Sequence, residues 1–156
     1  MADSDRRTPD PDAPGRSAAA SGEGLVEFLA MMRLMRERCA WKASQTHGSL
    51  AKHLREESEE VLEAIEEGER THDWEHLKEE LGDLLLQVYF HAAVAEEAGE
   101  FTMDDVIAGL ADKMRRRNPH VFGPEADEVW ASGHRYTIEE IEELWQSAKA
   151  AERRTP

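Results

Sequence analysis

The sequence predicts an all-α protein, a helical bundle of about five helices built on an antiparallel helix hairpin and completed by a second subunit. Ala, Leu and Glu dominate the composition, and only 6% of the residues are aromatic. Large apolar residues recur at helical spacing in successive segments. Two acidic pairs of equal spacing lie on either side of a predicted turn near Arg70, as expected for two helices that pack side by side.

Charge and cysteine content exclude several classes of function. The chain has 34 acidic and 19 basic residues, a formal net charge of −15, so a nucleic-acid backbone would repel it. The most apolar run, residues 84–95, contains Gln87 and His91 and is too short to cross a membrane. No apolar signal segment is visible near the N-terminus, and the single Cys39 cannot form an intramolecular disulfide. We therefore expect a cytoplasmic protein without nucleic-acid or membrane partners.

The chain divides into a tail and one domain. Residues 1–23 contain no large apolar residue after Met1 and predict a disordered tail. Residues 24–153 form the predicted domain, which is long enough to bury a core. Apolar residues at helical spacing predict its first helix over residues 24–38.

An irregular connector follows, with the sequence CAWKASQTHGSL. One interpretation is a packed connector in which Ser49 is the N-cap of the next helix. The other is a ligand-binding loop, in which Trp41 stacks on a ring and Gln45 forms hydrogen bonds with it. The residues leave both open.

The hairpin comes next in the chain. Its first helix is predicted over residues 49–67, with Gly68 past its end, and its second over residues 73–97, with Asp73 as N-cap and Gly99 as stop. Residues three apart lie on one face of a helix, so the pairs Glu-x-x-Glu and Glu-x-x-Asp can converge across the hairpin. The four acidic residues are Glu57, Glu60, Glu80 and Asp83.

A divalent cation is one explanation of this acidic group. Carboxylates in a mostly apolar helix are costly unless they are paired or bind a metal. Oxygen ligands favour Mg²⁺, with Mn²⁺ as a possible substitute. Structural ion pairing is the alternative. Gly82, beside Asp83, would allow another backbone or a ligand to approach closely.

Two further helices complete the prediction. The fourth begins at Thr102 and ends before Pro119, and the fifth begins at Thr137, after a loop over residues 122–136. Lys113 and Arg117 lie one turn apart in a basic cluster. This cluster either complements the negative end of the fourth helix or binds phosphate. On the fifth helix, Trp145 either packs in the core or covers a ligand.

The prediction of a homodimer, or a higher homo-oligomer, rests on apolar surface. The third helix is apolar on most of its faces, and five short helices cannot cover it while leaving the carboxylates open. The apolar residues concerned are Leu84, Leu85, Leu86, Val88, Tyr89 and Phe90, with Met31, Met32 and Met35 as further adaptable surface.

Four blocks of the sequence, CAWKASQTHGSL, EESEEV, EELGDLLLQV and DKMRRRNPHVFG, resemble in order and spacing the MazG family of nucleoside triphosphate pyrophosphohydrolases. The resemblance covers about residues 25–150. It implies an all-α bundle completed by a second subunit, and Mg²⁺-dependent hydrolysis of a nucleoside triphosphate to monophosphate and pyrophosphate. The family's first block usually reads C-P-W-D, whereas Ala40 and Lys42 stand here, and Asn118 replaces a common His.

The resemblance also implies roles for individual residues. It makes Glu57, Glu60, Glu80 and Asp83 the metal ligands, and Lys113, Arg117 and Trp145 substrate-binding residues. The position of Glu56 beside the ligands, independently of the resemblance, makes it a candidate general base, with the alternatives that it orients a ligand or points to solvent. The alternatives are a narrower relative, specific for deoxynucleotides or phosphoribosyl-ATP, or a non-catalytic acidic module that binds a protein. The preferred base and sugar cannot be predicted from the sequence.

Overall fold

The computed structural model of the protein describes residues 18–152, which are helical with short connections and contain no strand. The helices in this part of the chain are α1 Ala18–Arg38, α2 Ala40–Ala43, α3 His47–Thr71, α4 Glu75–Glu97, α5 Met103–Arg117, α6 Pro119–Phe122, α7 Ala126–Ala131 and α8 Ile138–Glu152. The all-α prediction is confirmed. The five predicted helices correspond to α1, α3, α4, α5 and α8.

Three short helices were not predicted. Helix α2 lies in the connector, α6 begins directly after α5 at Pro119, and α7 lies in the predicted loop. Pro119 does end α5, as expected, but it also occupies the first position of α6, where its missing N–H has no cost. Helices of four to six residues are too short to show an apolar period, so the sequence pattern did not indicate them.

The contacts within the chain define two compact units, with the division between Phe90 and His91 inside α4. In the first unit the buried residues include Met32, Leu50, Val61, Tyr89 and Phe90. In the second they are small, apart from Met103: Ala92, Ala93, Ala95 and Ala126.

Helices α3 and α4 form the predicted antiparallel hairpin. Close to the turn, His76 Nδ1 lies 2.8 Å from Glu67 Oε2. Further from the turn, Gln87 Nε2 donates a hydrogen bond of 3.4 Å to Glu57 Oε1. In an antiparallel hairpin, a contact that lies further from the turn on one helix also lies further from it on the other, and these two contacts follow that pattern. The acidic pairs therefore lie at similar heights on α3 and α4.

The ends of α3 differ from the prediction. Its N-cap is Thr46 rather than Ser49, because Thr46 Oγ1 accepts from the Ser49 N–H (3.2 Å) while Ser49 Oγ accepts from the Thr46 N–H (2.9 Å). Gly68 does not end the helix, which continues to Thr71 and is capped by His72 at a φ of 61°. Gly68 is buried against Trp74, and a Cβ at this position would lie 2.4 Å from the ring. The small residue is therefore needed for packing, not for termination.

Helix α1 also begins earlier than predicted, at Ala18 rather than Gly24. Alanine has the highest intrinsic helix propensity, so the run Ala18–Ala20 favours this longer helix. This corrects the C-terminal boundary of the predicted tail, whereas its residues 1–17 lie outside the described residues.

The other predicted ends agree with the structure. Thr102 and Asp105 form a reciprocal capping box, and so do Thr137 and Glu140. The start of α4 is the exception: Trp74, whose carbonyl accepts from the Lys78 N–H (3.1 Å), holds the cap position, and Asp73, one residue before it, accepts at Oδ1 from the Glu75 N–H (3.1 Å). Gly99, at a φ of 71°, follows the end of α4 as predicted. Across residues 18–152 no helix combines the length and the apolar character that a membrane crossing requires.

Candidate metal centre

Three carboxylates from the two hairpin helices come together in the first unit. Glu57, Glu60 and Glu80 each offer a carboxylate oxygen, and these oxygens all lie within 4.8 Å of one another. The i,i+3 spacing on α3 places Glu57 and Glu60 on one face, and the antiparallel register brings Glu80 opposite them. Like charges at this distance repel, so the arrangement favours a bound cation between them.

Asp83 completes the charge of this site. It is outside the group of three oxygens, but its negative charge acts on Glu57. Burial is the largest cause that raises the pKa of Glu57, followed by the charge of Asp83 and then by the charge and hydrogen bond of Glu60. Without a cation, Glu57 is therefore reluctant to ionise.

Gln87 supports the same site from α4. Its side chain is 5% exposed, and its Nε2 donates to Glu57 Oε1. Its Oε1 is buried and has no hydrogen-bond partner among the residues that the structure describes. A set of carboxylate oxygens with a buried amide beside it matches the ligand preference of a hard divalent ion. The residues present therefore fit Mg²⁺ or Mn²⁺.

Glu56, the candidate base, lies outside the group of three carboxylates. Its Oε2 is 3.1 Å from Nδ1 of His53, one turn earlier on α3, and its side chain is 58% exposed. The ring of His53 in turn meets Trp41 edge-to-face, with 6.2 Å between the ring centroids. The side chain of Glu56 is thus held by a contact on its own helix rather than by the group of three carboxylates.

The connector that carries Trp41 and Gln45 is held by its own hydrogen bonds. Gln45 Nε2 donates to the Trp41 carbonyl (2.9 Å), and Gln45 Oε1 accepts from Ser49 Oγ (2.7 Å). The buried Arg36 donates to the carbonyls of Lys42 and Gln45. Gln45 therefore braces the connector, which agrees with the packed interpretation, whereas Trp41 remains half exposed, with 53% of its surface accessible.

The predicted phosphate-binding residues lie in the second unit, on α5 and α8. Arg117 stacks on Trp145 of α8, with its Cζ 5.6 Å from the ring centroid. Lys149 also lies over this ring, with its Nζ at 4.8 Å. Lys113 is exposed on α5, one turn before Arg117. The structure thus gathers two cations around one indole ring.

Arg117 and its neighbour Arg116 share one carboxylate, that of Glu152 at the end of α8. Arg117 donates to Glu152 Oε2 from Nη2 (2.7 Å) and Nε (3.1 Å). Arg116 Nε donates to Glu152 Oε1 at 3.3 Å. These hydrogen bonds and charges lower the pKa of Glu152, with the bond from Arg117 as the largest cause.

Sequence reasoning did not single out Lys149 or Glu152 as site residues. The position of Lys149, one turn after Trp145, is a signal that could have indicated it. Glu152 belongs to a charged C-terminal segment, and nothing local distinguishes it from other exposed acidic residues. In the sequence, Gln87 appears only as a polar residue that interrupts the apolar run 84–95.

The sequence matches the family described as the MazG nucleotide pyrophosphohydrolase domain over residues 45–122. This range contains the four acidic residues and the basic cluster of α5. The structure resembles one described as the crystal structure of a mazG-related protein from Thermotoga maritima, with a TM-score of 0.62 at 26% identity. The match covers 82% of this chain and 98% of that chain.

Curated relatives carry related names. A nucleoside triphosphate pyrophosphohydrolase/pyrophosphatase MazG of Thermotoga maritima is 44% identical over 131 residues, which are 84% of this chain and 45% of the relative. A nucleoside triphosphate pyrophosphohydrolase of Mycobacterium tuberculosis is 41% identical over 134 residues, 85% of this chain and 37% of the relative. An uncharacterized protein, YabN, of Bacillus subtilis is 48% identical over 101 residues, 62% of this chain and 20% of the relative. The chain thus spans less than half the length of each of these relatives.

Proposed function

Because the chain belongs to the MazG nucleotide pyrophosphohydrolase domain family, we propose that it hydrolyses nucleoside triphosphates to nucleoside monophosphate and pyrophosphate, as a housekeeping activity on the nucleotide pool. The observation that carries the proposal is the meeting of three carboxylates from antiparallel helices within 4.8 Å. A surface that only attracts a basic partner protein needs negative charge, but it does not need carboxylates converging on one point.

Mg²⁺ is the proposed cofactor, and Mn²⁺ is a possible substitute. Glu57, Glu60, Glu80 and Asp83 would hold it, and their four negative charges, which exceed the charge of one divalent ion, would attract it strongly. When bound, the ion supplies charge neutralisation for the triphosphate and lowers the pKa of water. Gln87 holds the carboxylate of Glu57 by its hydrogen bond, so that the ligand needs little reorientation.

Arg117, Lys113 and Lys149 are proposed to bind the phosphates. The guanidinium of Arg117 offers planar, paired N–H donors that match phosphate oxygens, and lysine offers a compact charge. Their positive charges stabilise the negative charge that develops on the leaving pyrophosphate. Trp145 fixes the two cations that stack on it and leaves them oriented for the ligand.

Glu56 is the proposed general base, and His53 is the group to which it passes the proton that it takes from water. Trp41 remains a proposed stacking surface for the nucleobase, since its ring is half exposed. Gln45 is a weaker proposal, because its amide is already bonded within the connector. The cytoplasmic location stays a prediction.

A panel of triphosphates tests the proposal. We expect Mg²⁺-dependent release of pyrophosphate, rather than of phosphate, from ribo- and deoxyribonucleoside triphosphates, and loss of release in EDTA. Oxidised and deaminated triphosphates in the same panel identify the preferred base, and phosphoribosyl-ATP tests the narrower alternative. Absence of pyrophosphate release from every member, with folded protein and saturating Mg²⁺ or Mn²⁺, would contradict the proposed activity.

A homodimer is proposed on the basis of exposed apolar surface. On α4, Leu81, Leu85 and Val88 are exposed, although Tyr89 and Phe90 are buried. Met31 on α1 is exposed as well, whereas Met32 is fully buried within its own chain and cannot offer the adaptable surface that the sequence suggested. A second chain would cover the exposed residues.

A further inference from the structure

The carboxylate of Glu152 occupies donors of Arg117, to which the proposed function assigns the substrate phosphate, and a donor of its neighbour Arg116. One oxygen accepts two N–H groups of Arg117, and the other accepts one from Arg116. The side chains of Arg117 and Glu152 are 19% and 25% exposed, so the pair is partly exposed to water. A carboxylate of the protein thus bonds to the arginine that the proposed function assigns to an anionic ligand.

We propose that Glu152 is a placeholder for a substrate phosphate, a carboxylate that holds Arg117 and Arg116 until the triphosphate displaces it. The inference rests on the proposed function, because it takes Arg117 as a phosphate-binding residue. The inference adds to the proposed site a residue, Glu152, that competes with the substrate and so sets the apparent affinity of the protein for the triphosphate.

The contacts explain why such a placeholder is useful. A half-buried guanidinium needs hydrogen-bond acceptors, and a carboxylate supplies them in a geometry similar to that of a phosphate. Arg117 is therefore kept in a defined orientation against Trp145 before substrate arrives. The phosphate finds oriented donors and needs less side-chain ordering on binding.

Two features make Glu152 easy to displace. It carries one charge, whereas a triphosphate carries several, so the two arginines gain from the exchange. The ion pair is partly exposed, and such pairs contribute little net stability.

The decisive variant is Glu152→Gln, which keeps the size and an acceptor oxygen but removes the charge. Glu143→Gln, an exposed position on the same helix, removes an equal charge away from the arginines and is the matched control. We expect E152Q to lower KM for the best triphosphate of the panel by about twofold to fivefold, the range expected for a partly exposed ion pair. The kcat should stay within about twofold of the wild type, a change that is small on the scale of catalytic effects, and E143Q should match the wild type in both.

Binding of inorganic tripolyphosphate, measured by calorimetry with the wild type and both variants, gives a readout that does not require turnover. E152Q should bind it more tightly than the wild type. In an Arg117→Ala background, the effect of E152Q should largely disappear, because the competition acts through Arg117. Circular dichroism of each variant checks that the helices are retained.

A rise in KM or a loss of kcat in E152Q would overturn the proposal, because it would show that Glu152 only holds Arg117 in place. An unchanged KM with unchanged tripolyphosphate affinity would overturn it as well. If the wild type hydrolyses no triphosphate, the proposed function fails, but calorimetry still decides whether Glu152 competes with polyphosphate for the arginines.

Discussion

Asp83 acts on the acidic cluster by its charge, although its oxygens are not among the three that lie within 4.8 Å of one another. The variant Asp83→Asn keeps the size and removes the charge. We expect pyrophosphate release to fall by orders of magnitude, while the metal-free protein becomes more stable because repulsion on Glu57 is relieved. Glu79→Gln, at an exposed position of the same helix, is the control for the loss of one negative charge. Near-wild-type turnover of D83N at saturating Mg²⁺ would contradict the assignment of Asp83 as a ligand.

The raised pKa of Glu57 predicts how metal-free stability depends on pH. The folded state binds this proton more tightly than the unfolded state, whose pKa is near 4.5, so stability falls as the pH rises from that value through the folded pKa. Glu57→Gln removes the titration. In EDTA we expect E57Q to be more stable than the wild type at pH 7 and equally stable near pH 4. Thermal melts across this range measure the difference, and an advantage that stays constant with pH would contradict the predicted titration.

At the scale of helices, two glycines of the hairpin are predicted to respond in opposite ways to the same substitution. Gly68→Ala would place a Cβ 2.4 Å from the Trp74 ring, so the ring must shift and the turn loosens. We expect a loss of about 1–3 kcal/mol, as for overpacked interiors. Gly82→Ala places its Cβ in open space, with no atom within 4 Å, and should stabilise α4 by up to about 1 kcal/mol.

Chemical denaturation of both variants measures these changes, and equal effects would contradict the packing role of Gly68. The Gly82→Ala variant also tests the expectation that another backbone or a ligand approaches closely beside Asp83. Among the described residues, nothing occupies that space. A stable G82A protein with reduced turnover would show that a ligand uses the space, whereas unchanged turnover would show that it does not.

The helices themselves could be predicted because their signals are local. The capping boxes at Thr102 and Thr137 and the stop at Gly99 depend on residues within one turn, and the structure has them where the sequence places them. The start of α3 was misplaced by three residues, because Thr46 and Ser49 are both good caps and their reciprocal bonds use Ser at a position where Glu is typical. Gly68 was misassigned because its contact with Trp74 is tertiary.

The same difference between local and tertiary signals decides which parts of the candidate site could be predicted. The spacing of the acidic pairs and the symmetry of the hairpin predicted the convergence of Glu57, Glu60 and Glu80, since helix geometry fixes both, whereas the fourth predicted member, Asp83, lies outside the group of three oxygens. The contact between Arg117 and Glu152 joins residues 35 positions apart, and no periodic pattern encodes it. Which side of Trp145 carries which cation is likewise a matter of packing between α5 and α8.

At the scale of the whole molecule, the exposed apolar residues of α4 predict self-association. We expect sedimentation to show a species of two chains at micromolar concentration. Leu85→Glu should weaken the association at least about tenfold, because a charge buried at an interface is costly unless it is paired. Lys78→Glu, which introduces the same side chain at an exposed polar position of α4, should leave it intact. A well-folded, active monomer at micromolar concentration would refute the dimer.

The hairpin also bears on how the chain folds. Glu57 and Gln87, which meet at the candidate metal centre, are only 30 positions apart, and the carboxylates lie between them. Short sequence separation makes loop closure fast, so these contacts belong to the class that forms early. On a ribosome, the whole acidic site has been synthesised before α5 begins. If the proposed cation binds there during synthesis, it would stabilise the hairpin against the repulsion of its own carboxylates, and the earliest contacts of the chain would then depend on the supply of divalent ions.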